Sequence, residues 1–314
     1  MTMNSYHRPV LLNKCIEGLA VKEDGIYVDV TFGGGGHSKA ILDNLGENGK
    51  LIGFDQDEDA LRNIPEDPRF IFIQQNFRHL KRFLRLNGIK KVDGILADLG
   101  VSSHQIDTPE RGFSTRYDDT LDMRMSKDLP HSAADILNSY SFANLKNIFR
   151  LYGEINNASA LTSGIVNTRE GFPLTEGKAF RELTVKYAGK KPSQYLAKVY
   201  QALRIEVNDE MGSLRDLLEQ SAEVLAENGR LVVMSYHSLE DRLVKNFIKS
   251  GNFEGTVSKD LYGNPYKIFK EITKKPITAT EEETNENKRA RSAKLRIAER
   301  TAQNLDKTAF VLKE

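Results

Sequence analysis

The 314-residue sequence has one cysteine, Cys15, and no tryptophan. A single thiol excludes an intrachain disulfide and any cysteine-built zinc site, and it fits a reducing compartment. Cys15 itself reads as a small buried apolar residue. No stretch approaches the ~20 apolar residues of a membrane span, and Met1 to Arg8 lack the apolar core of a signal peptide, so a soluble cytoplasmic protein is expected. A charge excess is also missing. Lys and Arg number 45 against 44 Asp and Glu, a net charge of +1, which excludes a surface coated in basic charge and leaves nucleic-acid contact to local patches. There is no internal repeat and no cluster with metal-ligand spacing, so no metal is expected.

What is present is organised around Asp29-Val30-Thr31-Phe32-Gly33-Gly34-Gly35-Gly36-His37, between the apolar run Ile26-Tyr27-Val28 and a helix-like stretch from Ser38 to Leu45. A strand feeding a glycine turn that opens a helix is how α/β folds hold nucleotide-like ligands, because backbone comes close where no Cβ intervenes. The dinucleotide pattern G-x-G-x-x-G fails in both registers, at Ser38 and at Lys39. Strand-like runs at Ile26 to Val30, Leu51 to Asp55, Phe70 to Ile73 and Val92 to Asp98 alternate with helix-length polar stretches, which predicts a parallel sheet wrapped by helices. Asp29, Asp55 and Asp98 end three of these strands. Ligands bind beyond the carboxyl ends of such strands, and buried carboxylates are expensive to keep for packing alone, so the three suggest one site.

Asp55 follows the glycines by roughly twenty residues and is placed to accept hydrogen bonds from ribose hydroxyls, while Asp57 and Asp59 suit the first turn of the next helix. Phe77, after the third strand, is either an adenine neighbour or plain core. Arg78, His79, Lys81, Arg82, Arg85, Lys90 and Lys91 interleave with leucines at helical spacing, giving a solvated basic face or a phosphate-facing one. The α/β pattern lapses for about a hundred residues after Gln105, and polar breaks between helix-like pieces predict a helical insertion. The sheet resumes at Arg230 to Ser235, after an amphipathic helix over Asp209 to Glu227 that stops at Asn228-Gly229. His237 stands at this strand's end, next to a plausible capping pair, Ser238 and Asp241. Lys267 to Ile272 and Lys294 to Ala298 read as weaker strands. The linker between them turns from Glu281-Glu282-Glu283 to Lys288, Arg289 and Arg291, as a solvated loop or a phosphate grip.

Laid out together, these segments resemble the bacterial 16S rRNA cytosine-N4 methyltransferases, the MraW or RsmH family. The matching segments are His7-Arg8-Pro9-Val10-Leu11-Leu12, Thr31 to Ser38, Asp93 to Ser103, Arg111-Gly112-Phe113-Ser114, Leu121-Asp122-Met123-Arg124-Met125, Gln201 to Ile205, His237 to Arg242 and Arg289 to Arg296. They follow family order along nearly the whole chain. The sequence departs from the family at Lys191 to Tyr200, where a shorter Pro-Ala-Thr-Arg-Thr-Phe is usual, and at Lys288, where a proline is common. The resemblance implies an α/β class I methyltransferase domain, Rossmann-like with a mostly parallel sheet, over 1–105 and 206–314. It also implies an inserted helical domain over 106–205 for RNA recognition, S-adenosylmethionine as methyl donor, and a P-site cytosine of the small ribosomal subunit as acceptor.

Donor contacts implied at matching positions are Gly34, Gly35, Gly36, His37, Asp55, Phe77, Asp98 and Gln105. Asp98 and His237 are the candidates for positioning the amine or taking its proton. Ser102, Ser103, Phe113, Asp122, Arg124, Arg204, Arg289 and Arg291 are candidates for RNA contact, with Asp122 also able to pair with an arginine. Either Phe113 or Tyr236 would stack on the base. With no cysteine near the site, covalent attack on the ring is not expected. A dinucleotide-dependent oxidoreductase and a non-catalytic assembly factor on the same fold are the rival readings. The oligomeric state stays open, a homodimer included.

Overall fold

Seven strands form one sheet in the computed structural model, which describes residues 9–259, 262–263 and 265–303; His7 and Arg8 of the first matching segment lie outside them. The chain divides into two compact units, one running to Gly100 and resuming at Ser213, the other spanning Val101–Gly212. The first junction falls at a turn where Gly100 has φ +99°. The second lies beyond residue 206 because the insertion's last long helix keeps Ala202, Leu203 and Val207 in the insertion's own core.

In the sheet unit the order of elements is α1 (Leu12–Leu19), β1 (Ile26–Asp29), α2 (Gly36–Leu42), β2 (Lys50–Asp55), β3 (Phe70–Gln74), α3 (Leu80–Leu86) and β4 (Val92–Asp98). The insertion holds α4 (Ser103–Asp107), α5 (Ala133–Ser139), α6 (Phe142–Leu151), α7 (Ala158–Arg169), α8 (Gly177–Val185) and α9 (Pro192–Asn208). The chain continues through α10 (Glu210–Val224), β5 (Leu225–Ser235), α11 (Ser238–Ser250), β6 (Phe269–Glu271), α12 (Glu281–Glu286) and β7 (Lys294–Arg300). The α10 helix ends earlier than the sequence suggests. Leu225 already pairs with Val92, and Asn228, within β5, takes a left-handed conformation at φ +66° where the β4–β5 register shifts. The acidic linker forms a short helix rather than a loop, because the Thr280 hydroxyl accepts from the Glu283 N–H and caps α12.

The strand order is β3-β2-β1-β4-β5-β7-β6. Strands β1 to β5 are parallel, and β7 is antiparallel to both of its neighbours. This is the class I methyltransferase sheet. Apolar runs such as Val92–Asp98 are buried through most of their length, as a strand covered on both faces requires. The order reverses between β1 and β4, so the crevice at their carboxyl ends is the topological switch point where open α/β sheets bind ligands. Among the described residues no helix is long and apolar enough to cross a membrane.

Candidate active site

Asp29 and Asp98 end the two strands that flank the switch point. Asp29 is buried, its Oδ2 accepting from the Ser38 hydroxyl at 2.7 Å and its Oδ1 from the Thr31 N–H at 3.1 Å. Burial pushes its carboxyl up, against the charge of His37 and the bonds from Ser38 and Thr31. Thr31 is the tie between the strands, since its hydroxyl accepts the Asp98 backbone N–H at 2.7 Å. Asp29 thus organises the turn from inside.

The four glycines have separate jobs. Gly33 and Gly35 take φ of +50° and +75°, which side chains rarely adopt. A Cβ on Gly36 would lie 2.3 Å from Cγ of Pro9, so that glycine serves packing. A Cβ on Gly34 would meet nothing within 4 Å, so the outer face of the turn is open. His37 is not free to reach out from this turn. Its ring is buried, and Nε2 lies 3.1 Å from the Val10 carbonyl oxygen, a bond that needs the proton on Nε2 and turns Nδ1 toward Asp98 Oδ2 at 3.8 Å.

Asp55 accepts the Gly33 N–H at 2.8 Å on Oδ2 and the Asp57 N–H at 2.9 Å on Oδ1. Both oxygens are therefore aimed by backbone, and each keeps lone-pair capacity for a hydroxyl. Burial pushes this carboxyl up to about 6, with the two N–H groups working against it. Asp57 caps the following 3₁₀ turn by accepting from the Asp59 N–H, and Asp59 lies in its first turn. Phe77 is half-buried in the turn after β3, held by Asn76, whose amide donates to Gln56 Oε1 at 3.0 Å and to Ser213 Oγ at 3.3 Å.

Asp98 is the focus of the crevice. Its Oδ1 accepts from the Tyr236 hydroxyl at 2.7 Å, and a quarter of its side chain remains exposed. Burial pushes its carboxyl up to about 6, while His37 and the Tyr236 hydrogen bond pull down. Tyr236 is locked by that bond, and burial beside the Asp98 carboxylate raises its phenol well above the ordinary tyrosine range. From its place in the sequence, Tyr236 reads only as a candidate stacking ring. Its hydroxyl bond to Asp98 depends on β4 and β5 lying side by side, which no local motif announces.

His237 is committed to the start of α11. As N-cap it accepts the Glu240 N–H on Nδ1 at 3.4 Å, and Glu240 accepts the backbone N–H of Tyr236 at 2.8 Å and of His237 at 3.3 Å. Its Nε2 sits 3.2 Å from Glu240 Oε1. The expected Ser238–Asp241 cap is thereby corrected. The last extended residue before the helix is His237, with φ −137°, so the box falls one residue earlier. Asp241 instead meets Arg296 at 2.7 Å and Lys294 at 3.5 Å. Of the two tail arginines, Arg289 is half-buried in the 3₁₀ turn Lys288–Ser292 and Arg291 is exposed.

Within the insertion, Ser102 and Gln105 form a capping box. The Ser102 hydroxyl accepts the Gln105 N–H at 3.1 Å, and Gln105 Oε1 accepts the Ser102 N–H at 2.9 Å. That engages the Gln105 oxygen locally, and Ser103 is the first residue of α4. Phe113 carries the Arg111 guanidinium over its ring at 5.7 Å. Arg124 forks onto Asp122 at 2.8 and 2.9 Å and also donates to the carbonyls of Lys127 and Leu129. Arg204 forks onto Glu210 at 2.7 and 2.9 Å. Arg124 and Arg204, both candidates for RNA contact, each fork onto a carboxylate, the pairing already open to Asp122.

Residues 4–301 match the model of the MraW methylase family. The ribosomal RNA small subunit methyltransferase H of Flavobacterium johnsoniae is 56% identical over 300 residues, 95% of this chain and 99% of that one. The proteins of the same name from Cytophaga hutchinsonii and Amoebophilus asiaticus are 55% and 53% identical. They are covered over 99% and 97% of their lengths, by 94% and 95% of this chain. A family model taking in nearly all of the sequence, and relatives more than half identical from end to end, make this chain a member of the MraW methylase family.

Proposed function

We propose that the protein moves the methyl group of S-adenosylmethionine to N4 of a P-site cytosine in the 16S rRNA of the small ribosomal subunit, in the cytoplasm. The observation that carries this is the Asp98 carboxylate at the switch point, oriented by Tyr236 and still partly open, beside a glycine turn with room outside Gly34. The residues fit the donor. The open turn admits close approach to backbone, Asp55 is a carboxylate already aimed for a diol, and Phe77 is a half-exposed ring on the neighbouring strand end. When bound, the sulfonium supplies an electrophilic methyl group.

The protein's own task is alignment and proton handling. Cytosine N4 is a poor nucleophile because its lone pair is delocalised into the ring. A carboxylate accepting its N–H favours pyramidalisation and takes up positive charge as it develops. Asp98 Oδ1 is occupied by Tyr236, which leaves Oδ2 to hold the amine proton. His237 then has a different part, fixing the turn after β5 through Glu240. The insertion, with Phe113 and Ser103, and the tail arginines Arg289 and Arg291 serve RNA recognition.

The decisive experiment incubates the protein with labelled donor and undermethylated small subunits, followed by nucleoside analysis. N4-methylcytosine is the expected product. Subunit binding without it would favour a non-catalytic assembly factor, and tight NAD binding without donor binding would favour the oxidoreductase. Against the latter, the third glycine is missing in both registers, at Lys39 and at Ser38, and the Ser38 hydroxyl is bonded to Asp29 in the interior.

The same geometry fixes three further outcomes. Asp55→Ala removes the diol acceptor, and a hydrogen bond to a charged group contributes about 1.5–3 kcal/mol, so donor affinity should fall roughly 10- to 100-fold by calorimetry. An unchanged Kd would remove Asp55 from the donor site. Single-turnover rates should rise with pH through about 6 as Asp98 ionises, then level off. Tyr236→Phe deletes a bond that favours the carboxylate, so the midpoint of that profile should move to higher pH. A profile that stays in place would separate Tyr236 from the proton-accepting group.

A further inference from the structure

The stretch 78–91 carries six Lys and Arg residues and no Asp or Glu, an imbalance unlike the near-neutral chain as a whole. Most of these cations have structural work. Arg78 meets Asp216 at 2.8 Å, Lys81 pairs with Glu223, and Lys91 donates to the carbonyls of Glu223 at 2.9 Å and Leu225 at 3.1 Å, closing the carboxyl end of α10. Arg82 lies 5.8 Å from the Phe83 ring centre. Arg85 and Lys90 differ, being exposed and without an ion-pair partner among the described residues. They line a cleft of about 490 Å³ together with Lys81, Lys91 and Glu223, four cations against one carboxylate. Burial and the nearby Arg300 hold the Lys91 ammonium below its ordinary range, as expected where positive charge is crowded.

The cleft lies at the amino ends of β4 and β5, since Lys91 precedes Val92 and Val92 pairs with Leu225. Asp98 ends the same strand, roughly 20 Å away at about 3.3 Å per residue. We propose that this cleft is a second RNA contact, taking sugar–phosphate backbone of the small-subunit rRNA at the end of the sheet opposite the reacting crevice. It rests on the methyltransferase reading above. A guanidinium and an ammonium without partners suit phosphate oxygens, and release of condensed counterions drives such contacts. A docked protein fits less well. Its interface would need an apolar core, and the one exposed large apolar residue in this stretch is Leu86.

The test compares wild type with the double variant Arg85→Glu/Lys90→Glu, and with Arg85→Gln/Lys90→Gln as a milder form, in binding to protein-free 16S rRNA at several salt concentrations. Each lost phosphate contact should flatten the slope of log K against log [salt] by about 0.7–0.9, so two contacts remove roughly 1.4–1.8. Affinity near 0.1 M salt should fall about tenfold or more, and the loss should appear in KM for small subunits. Unchanged RNA affinity and slope overturn the proposal. So does a raised KM for subunits with unchanged binding to protein-free RNA, which would assign the cleft to a ribosomal protein. The binding arm needs no turnover, so a failure of methyl transfer in the wild type is read separately.

Discussion

Asp98→Asn is expected to lower single-turnover methyl transfer about 10³-fold and at the same time to stabilise the protein near neutral pH. The loss of activity follows from the role proposed for Oδ2. An amide of the same shape still receives the Tyr236 hydroxyl, but it no longer carries the charge that offsets positive charge developing on the amine. Positioned acid–base groups are worth about 10²–10⁴ in rate. The gain in stability follows from the carboxyl being pushed up to about 6 in the folded protein, above an unfolded value near 3.8. Well below 3.8 the group is protonated in both states and costs nothing. As pH rises through 6 the folded protein must hold an ionised carboxylate in a poorly solvated place, and the stability present at low pH is lost. At roughly 1.4 kcal/mol per pKa unit, the asparagine variant should gain on the order of 2–3 kcal/mol at about pH 7.5 and next to nothing at about pH 3. Denaturant unfolding at both pH values, paired with rapid-quench kinetics, checks the two halves. A variant that is inactive but no more stable at pH 7.5 would mean that Asp98 is solvated as an ordinary surface acid.

Such a trade of stability for chemistry is what marks the candidate site in the sequence. Asp29, Asp55 and Asp98 each end a strand of the periodic α/β pattern, and carboxylates kept where burial is costly need a reason. The alternation that placed them depends on local periodicity alone, so β1 to β4 were recoverable to within a residue at their ends. Three kinds of feature were harder to read. Tyr236 acts on Asp98 across a strand pairing between residues 138 apart, which no local pattern encodes. The cap of α11 turns on the backbone angle of His237, and Ser238 offered an equally good sequence match. The glycine run looked like a uniform ligand loop, yet it divides into two glycines needed for their angles, one for packing against Pro9 and one that faces open space. Exposure and partner geometry decide such cases, and both arise only on folding.

The arginines of the insertion show the same limit with the largest consequence for stability. Arg204→Ala should destabilise the insertion by roughly 3 kcal/mol, because it removes one member of a mostly buried pair and strands the other. Arg204 and Glu210 keep only 17% and 11% of their side chains exposed, and the fork is bidentate at 2.7 and 2.9 Å. Glu210 opens α10, so its charge also favours that helix's first turn, and an unpaired Glu210 would hold the charge without its counter-ion. Replacing both partners, as Arg204→Met with Glu210→Gln, leaves no orphan charge and should recover most of the loss. An RNA-binding Arg204 predicts the reverse pattern, with unfolding midpoints unchanged, KM for small subunits raised, and no rescue by the second substitution. Denaturant unfolding of the two single variants and the double, set beside their KM values, separates these roles. Because breaking a buried pair costs more than losing one surface phosphate contact, the structural role should dominate the Arg204→Ala phenotype.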